Sequence, residues 1–383
     1  MYISKKYISL ATMLFSAFLL TACQDEPVSE SVNFSFPEGC ADCHGDDPEY
    51  QLKGARMGYD NSGHALGFER HDEQHAYYSN GDDCQKCHTH EGFLEFAKTG
   101  AVDTDNYVKW PSQPGCFTCH KPHDTGDFEL RKSDAVALAN GDSFDNGKGN
   151  LCANCHQSRR DASDSVKALP ANKVSPYFGP HHGPQSDIFN GSNAYEYEGK
   201  SYSSSAHKLE IEDSCISCHM ALPEGRYSST PEIGGHSFGM NGTVHGQEKI
   251  NIAACASCHE DVKQDKSGSY YDYMASADYD QDGTVEIAQL EVKGLLELIV
   301  HPEGSGLLQT LETPLYDVEG NFIRSRDESL IRTEHEVAAV YNFKMFGLED
   351  RSLGLHNYTY TVQVLTDTIA SLDASFDTSN RPE

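Results

Sequence analysis

With 59 acidic residues against 29 basic ones, this 383-residue chain carries a formal charge of -30, which argues against nucleic acid as a partner. Counting glycine in place of tyrosine moves the apolar share from 38% to about 41%, still below the 45–50% usual for globular domains. Side chains alone therefore fill a core poorly, and a bound apolar cofactor is expected to complete it.

The chain opens on Lys5 and Lys6 followed by an apolar run from Tyr7 to Leu20, too short to span a bilayer and of the form of a signal peptide over 1–22. It ends in Leu20-Thr21-Ala22-Cys23, which resembles the lipobox of bacterial lipoproteins. That resemblance implies cleavage before Cys23 and lipidation of its thiol. Gln24 stands where an aspartate would retain a lipoprotein in the inner membrane, so an outer-membrane lipoprotein on the periplasmic face or the cell surface is expected, held to the membrane by its lipid anchor. Cleavage removes two lysines and no acid, taking the formal charge from -30 to -32. Residues 23–35 are polar, lack periodicity and read as a tether.

Twelve of the thirteen cysteines then fall into six copies of CxxCH: Cys40, Cys43 and His44; Cys84, Cys87 and His88; Cys116, Cys119 and His120; Cys152, Cys155 and His156; Cys215, Cys218 and His219; Cys255, Cys258 and His259. Chance would supply roughly 0.02 copies at these frequencies. Two thiols three positions apart reach the vinyl groups on one side of a haem, and the next residue lies under the iron. The motifs thus predict six covalently bound haem c groups with His44, His88, His120, His156, His219 and His259 as proximal iron ligands. Zinc has no need of a histidine after every second cysteine. A thioredoxin-like centre uses a single CxxC, and disulfides within such pairs would close only tiny loops.

The motifs begin at 40, 84, 116, 152, 215 and 255 without a fixed period, so a six-haem region over 36–265 is expected and a solenoid is not. Its motif histidines should sit on short helical turns, with loops at Gly141 to Gly149 and Ser201 to Ser205. Beyond 265, apolar residues recur at helical spacing over Val285 to Val300, Ile331 to Leu348 and Tyr360 to Leu372. Residues 266–383 are therefore expected to be helical and to pack on the haem array. Within them Asp278, Asp280, Asp282 and Thr284 alternate around Gly283, the opening of an EF-hand-like calcium loop over 278–289. Its twelfth position is Gln289 instead of glutamate, so calcium binding and an acidic surface turn both remain open.

Several local sequences resemble the multihaem c-type cytochromes of outer-membrane electron transfer, including relatives of the pentahaem nitrite reductase superfamily. They are Ser62-Gly63-His64-Ala65, Cys119-His120-Lys121-Pro122-His123, "GPHHGPQSDIFNG", Ser204-Ser205-Ala206-His207, Gly234-Gly235-His236 and "AAVYNFKMFGLEDRSLGLHN". The resemblance implies distal iron ligands at His64, His123, His181, His207, His236 and His356. His182 is an alternative to His181, and His71, His75, His90, His245, His301 and His335 stand in reserve. It implies a mainly α fold with long loops and little β, haem-packed and capped by the C-terminal helices. Six-coordinate irons leave no substrate position, so electron transfer in anaerobic or extracellular respiration is expected. The expected partners are redox proteins, in a homo-oligomer or cytochrome complex. The alternative is a multihaem reductase of nitrite, hydroxylamine or a sulfur oxyanion with one open haem. All six motifs end in histidine here, however, where such nitrite reductases usually carry one lysine.

Overall fold

A computed structural model describes residues 52–67, 84–105, 108, 110–168, 174–224, 230–323 and 332–383. The signal peptide, the tether, Cys23, Cys40, Cys43, His44, His71 and His75 lie outside the described residues. By its internal packing, Lys53–Glu383 forms one compact unit.

Within that unit helices outnumber strands. Up to residue 262 the helices are short, among them Leu52–Tyr59, His90–Thr99, Ala162–Ala168 and Gln185–Asn190. The sheet structure named among the described residues is two antiparallel pairs. Val136–Ala137 runs against Ser143–Phe144, with Val136 opposite Phe144. Asn241–Val244 runs against Gln247–Ile250, with Val244 opposite Gln247. The first pair falls partly inside Gly141 to Gly149, where a loop was expected. That stretch instead forms a strand and the 3-10 turn Gly147–Gly149, because Phe144 is wholly buried and anchors the turn to a small core with Val136, Leu138, Ala153 and Phe189.

The larger core is C-terminal. Helices Ala288–Ile299, Glu334–Phe343 and Tyr358–Leu372 bury Val292, Leu295, Ile299, Val340, Tyr341, Tyr360, Leu365 and Ile369 against one another. Ile188, Ala194 and Tyr195 join the same core from the haem-motif region, so the two regions separated on composition share one apolar interior. Each boundary has a local cause. Thr333 and Glu336 form a reciprocal capping box that starts the second helix. The Asn357 side chain accepts from the Tyr360 N–H and starts the third helix two residues before the expected Tyr360. The first begins only at Ala288, since Ile287 is held by a bridge to Met274 with a non-helical ψ of 135°.

After Phe343 the second helix widens into a π-helical segment, Lys344–Asp350. Arg351 and Leu353 then turn through the left-handed region at φ 58° and 54°. Such wide turns recur at functional sites. No helix among the described residues is long and apolar enough to cross a membrane.

Candidate functional site

Each described CxxCH motif is one turn of helix or nearly so. Helical spans cover Gln85–His88, Cys116–Cys119, Asn150–Ala153, Cys215–His219 and Ala253–Ala256. The histidine N–H donates to the carbonyl of the first cysteine at 3.0 Å for His88 and at 2.9 Å for His120, His156 and His259. That bond places positions i, i+3 and i+4 on one face, the arrangement two thioethers and an axial ligand require.

Opposite each described motif histidine stands a second imidazole. Ring centroids lie 6.5 Å apart for His88 and His181, 6.2 Å for His120 and His236, 6.0 Å for His156 and His64, 6.2 Å for His219 and His356, and 6.0 Å for His259 and His207. Two imidazoles binding one metal through nitrogen at 2.0–2.1 Å would put their centroids about 6.3 Å apart. All five pairs therefore fit an iron between them. His156, Cys155 and His356 are deeply embedded yet keep accessible surface, as groups bordering internal space do. Among the described residues no three cysteine or histidine donor atoms converge within 4.8 Å, so a zinc cluster finds no ligand set there.

The pairs follow no local order. His64 faces the fourth motif, although the second is nearer in sequence, and His356 reaches back to the fifth. His123 faces none of the five. It lies exposed on the turn Pro122–Thr125, 5.5 Å from the Phe117 ring.

Burial, with the neighbouring His156 adding to it, pushes His64 down to about 4. Burial, then the charges of His182, Arg159 and His88, does the same to His181, also to about 4. Burial lowers His156, His219 and His236 as well. These rings are thus neutral at physiological pH, the form that binds metal. His356 differs: burial pulls it down, but the charge and hydrogen bond of Asp350 more than offset this and raise it.

The other ring nitrogen of several paired histidines is held in place. His120 Nδ1 lies 2.7 Å from the Phe128 carbonyl, His219 Nδ1 2.8 Å from that of Phe238 and His207 Nδ1 3.1 Å from that of Leu355. His156 Nδ1 lies 3.4 Å from Gln185 Oε1, and His356 Nδ1 2.5 Å from Asp350 Oδ1. Such contacts fix the tautomer and aim Nε2 at the partner ring. Phe238, itself at φ 56°, also sets its ring 5.2 Å from His64 and 6.1 Å from His236, so one residue touches three pairs. Phe238 stands in no quoted motif, and Asp350 lies within the piece that ends at His356 and Asn357; the sequence reading gave neither a role.

Among the described residues, four of the remaining histidines have structural partners. His90 meets Thr118, and His182 pairs with Glu349 at 2.8 Å. His301 Nδ1 accepts from the Glu303 N–H. His335 contacts Ser371 and Tyr197, and His245 sits at φ 53° in the turn between Val244 and Gln247.

The motifs also touch one another. The Cys87 thiol points to the Asn154 carbonyl at 3.9 Å and the Cys155 thiol to the Lys86 carbonyl at 4.0 Å, a reciprocal contact between the second and fourth motifs. Hydrogen bonding between Cys152 and Cys215 raises the pKa of the first thiol and lowers that of the second, joining the fourth and fifth. The turn Cys215–His219 packs on Ala253–Ala256 of the sixth.

In the acidic loop, carboxylate oxygens of Asp278, Asp280 and Asp282 lie within 4.8 Å of one another. Asp278 Oδ1 is buried without a hydrogen-bond partner. The Thr284 N–H donates to Asp282, and Glu291, wholly buried, accepts from the N–H groups of Tyr279 and Glu286 at 2.7 and 2.8 Å.

No protein-family model matches the chain. It is 25% identical over 272 residues to the polyhaem c-type cytochrome OmcB of two strains of Geobacter sulfurreducens, covering 57% of this chain and 34% of that protein. The chain thus spans about a third of that relative's length. Its fold also aligns with the undecahaem cytochrome from the S-layer of Carboxydothermus ferrireducens, at a TM-score of 0.42 and 17% identity, over 82% of this chain and 41% of the other. The likeness to OmcB, together with the motifs, supports a multihaem c-type cytochrome with covalently bound haem c.

Proposed function

We propose that this chain is a six-haem c-type cytochrome anchored at the outer membrane through lipidated Cys23, passing electrons in anaerobic or extracellular respiration. The observation that carries the reading is the set of five facing imidazole pairs, each joining a motif histidine to one distant in sequence. Bound haem c would supply one-electron iron chemistry. The two sulfurs of each motif would hold the tetrapyrrole, the paired imidazoles would ligate its iron, and the contacts among the second, fourth, fifth and sixth motifs would keep neighbouring groups close. His123 and the first motif, Cys40 to His44, complete the set of six.

At the five described pairs both axial positions would be filled and none would keep a place for substrate, so the reductase alternative draws no support from this geometry. Basic or mixed-charge redox proteins, in a cytochrome complex or another copy of the chain, suit the acidic surface, and their encounter should weaken with salt. Calcium in the Asp278, Asp280 and Asp282 loop would serve a structural role.

The mass of protein matured in a cytochrome-competent host should exceed that of the apo-lipoprotein by six haems, and its resting spectrum should be wholly low-spin. A count of five or fewer, or a high-spin ferric signal with turnover of nitrite or hydroxylamine, would overturn the reading. The C23S variant should lose palmitate labelling and leave the membrane fraction. Retention of both would refute the anchor.

A further inference from the structure

The carboxylate of Asp350 lies against Nδ1 of His356 at 2.5 Å, and its side chain is 1% exposed. Its other oxygen accepts from the hydroxyl and the N–H of Ser352, so the acid is fixed in place by hydrogen bonds to neutral groups. Across the pair, His219 Nδ1 faces a backbone carbonyl. The Nδ1 contacts of His120, His207 and His156 likewise run to neutral oxygens.

We propose that Asp350 is a redox-tuning residue: its buried carboxylate, hydrogen-bonded to His356, lowers the reduction potential of the haem held between His219 and His356. This deepens the function proposed above and rests on it. A carboxylate accepting the ligand's N–H makes the imidazole more basic. A more basic ligand stabilises the higher charge of ferric over ferrous iron. The anion's own field acts in the same direction, and buried as it is, salt screens it little. Both effects favour the oxidised state. The π-helical segment explains how the acid arrives there, since Asp350 is its last residue and the left-handed Arg351 and Leu353 bring His356 back over it.

The site also has a spectroscopic handle. Its two rings are the nearest to parallel of the five pairs, with 27° between their planes; His120 with His236 stands at 46°, and the pairs His64 with His156, His88 with His181 and His207 with His259 stand at 70°, 80° and 85°. Near-parallel imidazoles give a rhombic low-spin ferric signal, and near-perpendicular ones a strongly anisotropic signal, so an EPR-monitored redox titration can follow this haem apart from those three.

In the full-length holoprotein, D350N keeps an acceptor oxygen for His356 but removes the charge. It should ease reduction of the rhombic component about tenfold, a rise of about 59 mV for one electron, and leave the strongly anisotropic signals unmoved. D350E should restore a potential close to wild type. If D350N does not mature, S352A, which loosens the acid without removing it, should give a smaller rise. A rhombic component whose midpoint is unchanged in D350N, or in S352A where that variant carries the test, would overturn the proposal. A wild-type protein that lacks the rhombic component, or is short of one haem by mass, would instead overturn the function on which it rests.

Discussion

His207 Nδ1 meets the carbonyl of Leu355 at 3.1 Å, one residue before His356. A ring that faces the sixth motif is thus steadied by backbone that also delivers the partner of the fifth. Glu349, seven residues earlier, holds His182 through its side chain and Gln185, the neighbour of His156, through its carbonyl. One short stretch therefore sets several pairs at once. Gly354 is its pivot, at φ 88°, where an added Cβ would meet Tyr358 and Val292 at 3.1 Å. We expect G354A to cost about 1–3 kcal/mol in chemical denaturation and to disturb the low-spin signals of two haems together. Disturbance confined to one would show that Leu355 and His356 move independently.

His64 lies far from the fourth motif in sequence and faces its histidine at 6.0 Å. H64A should leave all thioethers intact, because attachment depends only on the CxxCH segment, while opening one axial position. Mass spectrometry should show an unchanged haem count, and EPR a new high-spin ferric component amounting to one haem. If the sample stays wholly low-spin with no replacement ligand visible by resonance Raman, His64 is not an axial group.

Burial, then the charges of Glu291, Asp282 and Asp278 against a lowering backbone bond from Asp282, lifts the carboxyl of Asp280 to about 6. Its pKa is thus higher folded than unfolded, so the native state holds the proton more tightly and the cost of ionising Asp280 appears as pH rises from about 4 to about 6. Without calcium, urea stability should fall across that window, and in D280N the fall should be smaller. A calcium ion held by this loop would need its carboxylates ionised, so millimolar calcium should restore stability above pH 6 in the wild type and not in D280N. Identical curves with and without calcium would leave the loop as an acidic turn.

The turn at each described motif is local and was legible in spacing alone: Cys, Cys and His within five residues close one helical turn there. Which rings face each other was not, since it is decided by tertiary packing. Sequence proximity would have paired His64 with the first or second motif, yet His64 lies opposite His156, and His88 lies opposite His181. The three C-terminal helices were visible in their apolar period. Their ends were set by Thr333, Asn357 and the Met274 bridge, which periodicity does not report. The π-helical widening after Phe343 leaves no mark in hydrophobic pattern, and with it went any sight of Asp350. Phe238 was invisible for a similar reason, because an aromatic at positive φ in a 3-10 corner looks like any other loop residue.

The crossing of these pairs along the chain has a consequence for biogenesis. Each pigment could be stitched on as soon as its own five residues are available, but the field around a metal at His219 could not be finished until His356 arrives. A product that stopped short of that histidine would come out red and wrongly ligated. Colour alone would then be a poor guide to whether a preparation has reached its native state.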